Sequence, residues 1–244
     1  MKNKKAEQAE AKKQHKELLK AHRRKEPRLE REEPEKRIKP TILIVCEGKN
    51  TEPSYFEKFK LTSATIRAIG EGYNTVSLVE RAKELSERIE NDSSTRKYDQ
   101  VWCVFDADPK ADNSKQAESF NKAIKLAEKY GFGVAYSNQA FEYWIILHFE
   151  DHQGGAFNRS GYNDKINKLL KPYKVKFEGE GSKIITDSIF ELLEGVDEKT
   201  QKPRVKLAIE RARRNYDLFD HTNPAKEESS TTVFKLIEEI LLYV

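Results

Sequence analysis

The sequence predicts an α/β fold: a mostly parallel sheet covered by helices on both faces. Three observations carry this expectation. Short apolar runs alternate with segments of helical period from residue 41 to residue 149. The runs are continuous, as strands buried on both faces are, rather than alternating. Two of them, Ile42-Leu43-Ile44-Val45-Cys46 and Val101-Trp102-Cys103-Val104-Phe105, stop directly at acids, Glu47 and Asp106-Ala107-Asp108. In an open α/β sheet the ligand crevice lies outside the carboxyl ends of the strands, so acids at those ends can converge on one point.

The elements follow in order. Residues 1–39 form a charged arm with almost no core formers; 12–24 suit a transient helix but show no consistent apolar face. Such a segment reads as a flexible or helical solvated arm, with a basic arm gripping phosphate backbone as the alternative. After Pro40, residues 41–46 are the first strand. A helix starts near Thr51, with Thr51 as cap and Pro53 tolerated in the first turn. Residues 65–69 read as a short strand ended by Gly70-Glu71-Gly72. Residues 75–89 carry helical period in Val76, Val79, Leu85 and Ile89. Residues 100–105 are the third strand. Residues 114–130 are a helix with Ala117, Phe120, Ala123, Ile124 and Ala127 on one side, stopped by Gly131. Residues 132–136 are a fourth strand and 141–149 a very apolar helix. This alternation of strand and helix is that of a parallel sheet.

Beyond about residue 150 the strand signals fade. Residues 151–162 read as a loop, and 163–170, 182–193, 204–219 and 231–242 as helices punctuated by Pro172, Gly179, Gly181, Gly195 and Pro224. The chain thus divides into an arm, 1–39, and one domain, 40–244. The sheet core of that domain ends near 150 and its remainder, 151–244, is helical.

Charge separates the same two parts. Residues 1–39 hold 15 basic and 8 acidic residues, a balance of +7, so the rest of the chain carries −3 of the net +4. A broad nucleic-acid surface on the body therefore does not follow from charge. No apolar run approaches the ~20 residues of a membrane span, and no apolar stretch near the start marks a secretory signal. Cys46 and Cys103 fall inside predicted buried strands and read as reduced core cysteines of a cytoplasmic protein.

Three constellations could carry chemistry. In Glu47-Gly48 the glycine removes a side chain directly after an acid, which would let backbone or phosphate approach; a plain surface turn is the alternative. In Asp106-x-Asp108 two carboxylates share one face of an extended chain and repel each other unless a cation or proton intervenes. The alternative is an Asx-turn with a helix cap before Pro109. In Ser137-Asn138-Gln139-Ala140-Phe141-Glu142-Tyr143-Trp144, Glu142 opens a greasy helix. It suits either the helix dipole or a fourth acid that binds metal or orients water. His148, one turn beyond Trp144, reads as structural, with a general base as the alternative. Oxygen donors alone suit a hard cation, Mg²⁺ or Mn²⁺, and such a cation suits phosphate chemistry.

Other chemistries fit less well. Gly179-Glu180-Gly181-Ser182-Lys183 has the wrong spacing for a nucleotide-binding P-loop, and no Gly-x-Ser-x-Gly elbow occurs. Asp106-x-Asp108 could instead be the nucleophile loop of a dehalogenase-type phosphatase, Asp106 attacking phosphorus and Asp108 acting as acid. That leaves Glu47 without a role and finds no Thr directly after the pair.

The run from Ile42 to Phe56, with Glu47-Gly48-Lys49-Asn50-Thr51-Glu52-Pro53-Ser54-Tyr55-Phe56, resembles the opening motif of the RloB family. Val104-Phe105-Asp106-Ala107-Asp108 and the run from Ser137 to Phe149 resemble its next two motifs. Asn223-Pro224, followed by Ser230-Thr231-Thr232-Val233-Phe234, is similar to its C-terminal signature, although Ala225 to Ser229 separate the two halves more widely than is usual. The four motifs span residues 41–244. The resemblance implies a Toprim-like core with C-terminal helices. A Toprim domain carries a Glu after its first strand and an Asp-x-Asp after its third, which here are Glu47, Asp106 and Asp108. The family is similar to the second component of AbiL-type abortive-infection systems, which implies an AAA-type ATPase partner.

These expectations combine into a Mg²⁺- or Mn²⁺-dependent nuclease, the effector of an antiphage defence pair in the cytoplasm. Glu47, Asp106 and Asp108 would hold metal, Glu47 directly or through water or by handling a proton. Glu142 would be an auxiliary acid and Lys49 a phosphate contact. The substrate is nucleic acid, DNA or RNA, with no membrane, and a homodimer stays open. The two alternatives are the dehalogenase-type phosphatase and a catalytically silent, Toprim-like adaptor of the ATPase.

Overall fold

A computed structural model of the chain describes residues 40–62, 64–68, 75–90, 97–107, 114–152, 159–177 and 183–244, together with 10, 12, 13 and 17. The chain separates into two compact units, Met1–Ile38 and Lys39–Val244. In the first unit, the four described residues are helical and exposed; the remainder of the arm, and with it the expectation of a phosphate grip, lies outside the described residues.

The second unit is α/β. Strands β1 (Ile42–Cys46), β2 (Ala64–Ala68), β3 (Gln100–Asp106) and β4 (Gly133–Ser137) form a four-stranded sheet in the order β2-β1-β3-β4. Every neighbouring pair is parallel. Between and after them come α1 (Thr51–Glu57), α2 (Thr75–Glu90), α3 (Ser114–Lys129), α4 (Glu142–Leu147), α5 (Arg159–Leu170), α6 (Asp187–Glu194), α7 (Arg204–Tyr216) and α8 (Val233–Leu241). The architecture is consistent with a Rossmann- or Toprim-like core.

Strand β1 and the middle of β3 are apolar because both faces of the sheet are covered there. Successive side chains of a strand point to opposite faces. Leu43, Val45, Cys103 and Phe105 pack with Leu78, Val79, Phe120 and Ala123 of α2 and α3. Ile42, Ile44, Cys46 and Val104 pack on the other face with α1, α4 and the C-terminal helices. The helical remainder of the chain is therefore the second cover of the sheet and shares its core. Cys46 and Cys103 are free and buried. Burial pushes both thiols up, that of Cys103 to about 12, so neither is a thiolate at neutral pH.

Several boundaries differ from the sequence expectation, each for a local reason. The residue before α1 is Asn50, without a side-chain cap, and Thr51 is already helical. Helix α5 begins at Arg159, inside the expected 151–162 loop. Helix α6 begins at Asp187 rather than 182, because Thr186 caps it by accepting the Ile189 N–H. Thr231 and Thr232 do not open α8. They turn instead to the edge strand β4, where the Thr232 hydroxyl receives the Tyr136 N–H and donates to the Val134 carbonyl.

The strand order fixes where a ligand crevice can lie. The chain leaves β1 for β2 on one side, then crosses to β3 on the other. The carboxyl ends of β1 and β3 therefore flank the switch point, where loops diverge and open a cleft. Glu47 and Asp106 stand at those two ends.

Candidate functional site

The site is assembled by strand register. Val104 pairs with Cys46, and the Glu47 N–H continues the ladder by donating to the Val104 carbonyl at 2.9 Å. This brings the Glu47 side chain beside the end of β3. Its Oε2 accepts the backbone N–H of Asp106 at 3.3 Å. On the far side, the Ala107 N–H donates to the Ser137 carbonyl, which draws in the loop after β4. Asp106 Oδ2 accepts the Phe141 N–H at 3.1 Å. Glu142 is the next residue, so three expected acids follow three spatially adjacent strands, β1, β3 and β4, at one sheet edge.

Glu142 is 3% exposed, and its Oε1 accepts from Lys183 Nζ at 2.6 Å. Glu142 thus carries a cation as its partner. The buried Tyr162 marks the common ground: burial first, then Tyr143, Glu228, Glu142 and Asp106, push its phenol up. It remains an O–H in the field of both acids.

The expectation for Gly48 changes. Gly48 does leave room, but the side chain of Glu52 takes it. A Cβ on Gly48 would collide with the Glu52 carboxylate, which is only 6% exposed. Glu52 is a buried acid one turn of chain from Glu47, and its charge helps raise the Cys46 thiol. Sequence reasoning used Thr51-Glu52-Pro53 only as a helix start. A glycine held open against an acid four residues on was the signal that could have found it.

His148 belongs to the core. It is fully buried, its Nδ1 bonds the Trp144 carbonyl at 2.9 Å, and its ring meets Tyr55 and Trp144 edge-on. A carbonyl only accepts, so Nδ1 carries the proton. Burial lowers its pKa to about 3, and a general base at neutral pH would need to lie in the crevice rather than here. Lys49 is exposed. Asp108 lies outside the described residues.

The C-terminal motif is architectural. Asn121 Nδ2 donates to Asn223 Oδ1, Asn138 Nδ2 donates to the Pro224 carbonyl, and the Asn138 N–H donates to the Ser230 carbonyl. These bonds fix the loop that presents the Phe141 N–H to Asp106.

Among the described residues, no group of three or more His, Cys, Asp and Glu side chains is spaced to hold a metal ion. Glu47 and Asp106 are two adjacent oxygen donors, and the fit to a hard divalent cation needs a third donor. Asp108, two residues beyond Asp106 in the sequence, has the chemistry for it. Among the described residues no helix is long and apolar enough to cross a membrane.

Neither a curated protein nor a solved structure matches the chain. The family model described as RloB-like protein matches residues 42–240, from the first strand through the last helix. With the acids set at the ends of β1 and β3 and the C-terminal motif locking the loop after β4, the chain belongs to the RloB-like protein family.

Proposed function

We propose that the chain is a divalent-metal-dependent nuclease that hydrolyses phosphodiester bonds of nucleic acid. The observation that carries this is the contact of Glu47 with Asp106 at the switch point of a parallel sheet. Glu47, Asp106 and Asp108 would hold Mg²⁺ or Mn²⁺. Such an ion supplies charge neutralisation at phosphate oxygens and an activated water.

The protein's own groups do the rest. The Phe141 N–H holds one oxygen of Asp106 and so fixes the direction of the other. Glu47 borders the reacting centre and is the group to accept or return a proton. Glu142, expected as an auxiliary acid, would serve the crevice through its ion pair with Lys183. Glu52 adds negative charge behind Gly48 that favours a bound cation.

The dehalogenase-type reading leaves Glu47 idle, and its contact with Asp106 speaks for the metal reading over it. The silent-adaptor reading is met by the same test. Membership in the RloB-like family supports an antiphage role with an AAA-type ATPase partner in the cytoplasm, and two buried free cysteines suit a reducing compartment.

The test is incubation of the full chain, with and without its ATPase, with plasmid, single-stranded DNA and total tRNA in Mg²⁺ or Mn²⁺. Cleavage that EDTA stops, and that Asp106→Asn lacks, supports the reading. A covalent phosphate on Asp106, or no cleavage under any condition, would overturn it.

A further inference from the structure

The segment Gly179-Glu180-Gly181-Ser182-Lys183 fails as a P-loop, yet its last residue reaches Glu142. Lys183 Nζ lies 2.6 Å from Glu142 Oε1, with the lysine side chain 27% exposed and the glutamate 3%. Glu142 follows Phe141, whose N–H binds Asp106, so the ammonium is tied to the same strand ends as the acids.

The arrangement is costly and anchored. Lys183 has φ of +35°, in the left-handed region, where a non-glycine residue is strained. The chain just beyond is pinned to α1: the Ile185 N–H donates to Ser54 Oγ at 2.9 Å, and Lys58 pairs with Asp187 at 2.6 Å. Burying the Glu142 carboxylate costs desolvation that its pairing with Lys183 has to offset. Glu47, Glu52 and Asp106 together would repel a phosphodiester unless a cation faced it.

We infer that Lys183 is a phosphate-binding residue of the crevice, and that Glu142 is the positioning residue that holds it there. This rests on the phosphodiesterase reading and deepens it by naming the protein cation that meets the substrate. An ammonium has three N–H donors. Glu142 engages one, and the exposed side of the group presents donors to a non-bridging phosphate oxygen. Glu142 then acts through Lys183 and not as an acid toward the substrate.

The experiment is fluorescence anisotropy with the full chain and labelled single-stranded DNA, duplex DNA and RNA of one sequence, in Ca²⁺, from about 50 to 200 mM salt. Lys183→Met should weaken binding roughly tenfold at the lower salt and reduce the salt slope by about one. Lys183→Arg should keep the slope. Glu142→Gln/Lys183→Met removes both charges and leaves no buried carboxylate unpaired, so it folds if the single variant does not, and it should bind as weakly. A lowered melting temperature with unchanged affinity and slope in both Met variants would overturn the inference, as would absence of binding by the wild-type chain. Wild-type binding that depends on Lys183 without cleavage in Mg²⁺ or Mn²⁺ would instead remove the nuclease reading and leave Lys183 in place.

Discussion

The Glu47 carboxylate caps the backbone N–H of Asp106, 3.3 Å away, across two strands that are neighbours in space and 59 residues apart in sequence. Because the bond is to the backbone, it fixes the end of β3 whatever the charge on the Asp106 side chain. Asp106 in turn uses one oxygen for the Phe141 N–H. Glu47 and Asp106 are each held by a backbone N–H, a bond that an amide oxygen can also accept, which separates folding from chemistry in the variants below.

Asp106→Asn keeps an oxygen for the Phe141 N–H and loses the charge. It should lower cleavage by at least about 100-fold while the melting temperature stays level or rises, since repulsion among clustered acids is relieved. Asp106→Ala leaves that N–H without its acceptor and should cost about 1–3 kcal/mol in urea unfolding. Asp108→Asn should match Asp106→Asn in activity. If the two Asn variants melt well below wild type, the acids are structural and the metal site is misassigned.

The acids at the strand ends were legible because a buried run that stops at a carboxylate is a one-dimensional signal. Glu47 and Asp106 needed only the period of the runs and the crevice rule. Glu52 was hidden because its sequence neighbours, Thr51 and Pro53, already explain a helix start. Lys183 was hidden because its partner Glu142 is 41 residues away and its Gly-rich surroundings suggested the wrong motif. Thr231 and Thr232 looked like the first turn of α8, and only the open edge of β4 explains why their hydroxyls go elsewhere. Local periodicity shows which residues are buried; it does not show which polar side chain will satisfy a distant backbone group.

Gly48 and Glu52 should be coupled. Gly48→Ala forces a methyl against the Glu52 carboxylate, and overpacking of this kind costs about 1–3 kcal/mol. Glu52→Ala opens the space, so Gly48→Ala/Glu52→Ala should be less destabilised than the sum of the single changes. A double-mutant cycle in urea measures this, with a coupling of about 0.5–3 kcal/mol expected. Additive effects would mean that the carboxylate swings away freely and that Gly48 has another role.

The hydroxyl of Thr232 satisfies two groups of the edge strand at 2.9 Å each, the Tyr136 N–H and the Val134 carbonyl. Thr232→Val keeps the shape and removes both bonds. It should cost about 1–3 kcal/mol for each buried group left unpaired. The amide of Tyr136 should lose hydrogen-exchange protection before those of β1. Unchanged protection at Tyr136 would show that the Thr232 backbone, whose N–H donates to the Tyr136 carbonyl, suffices to seal the edge.

His148 makes stability depend on pH in a window set by its burial. Its folded pKa is lowered to about 3, against about 6.5 in the unfolded chain. Between those values the unfolded state binds a proton that the folded state refuses, so stability is full above about pH 6.5 and falls as the pH drops toward 3. The slope approaches about 1.4 kcal/mol per pH unit within the window. His152, lowered chiefly by partial burial, adds to the loss in the same direction. Urea unfolding between about pH 7 and 5 keeps clear of the ordinary carboxylate range. His148→Leu should flatten most of the slope there, at the expense of the bond to the Trp144 carbonyl at every pH. A variant that keeps the wild-type slope would place the titrating group elsewhere and return His148 to consideration as an accessible base.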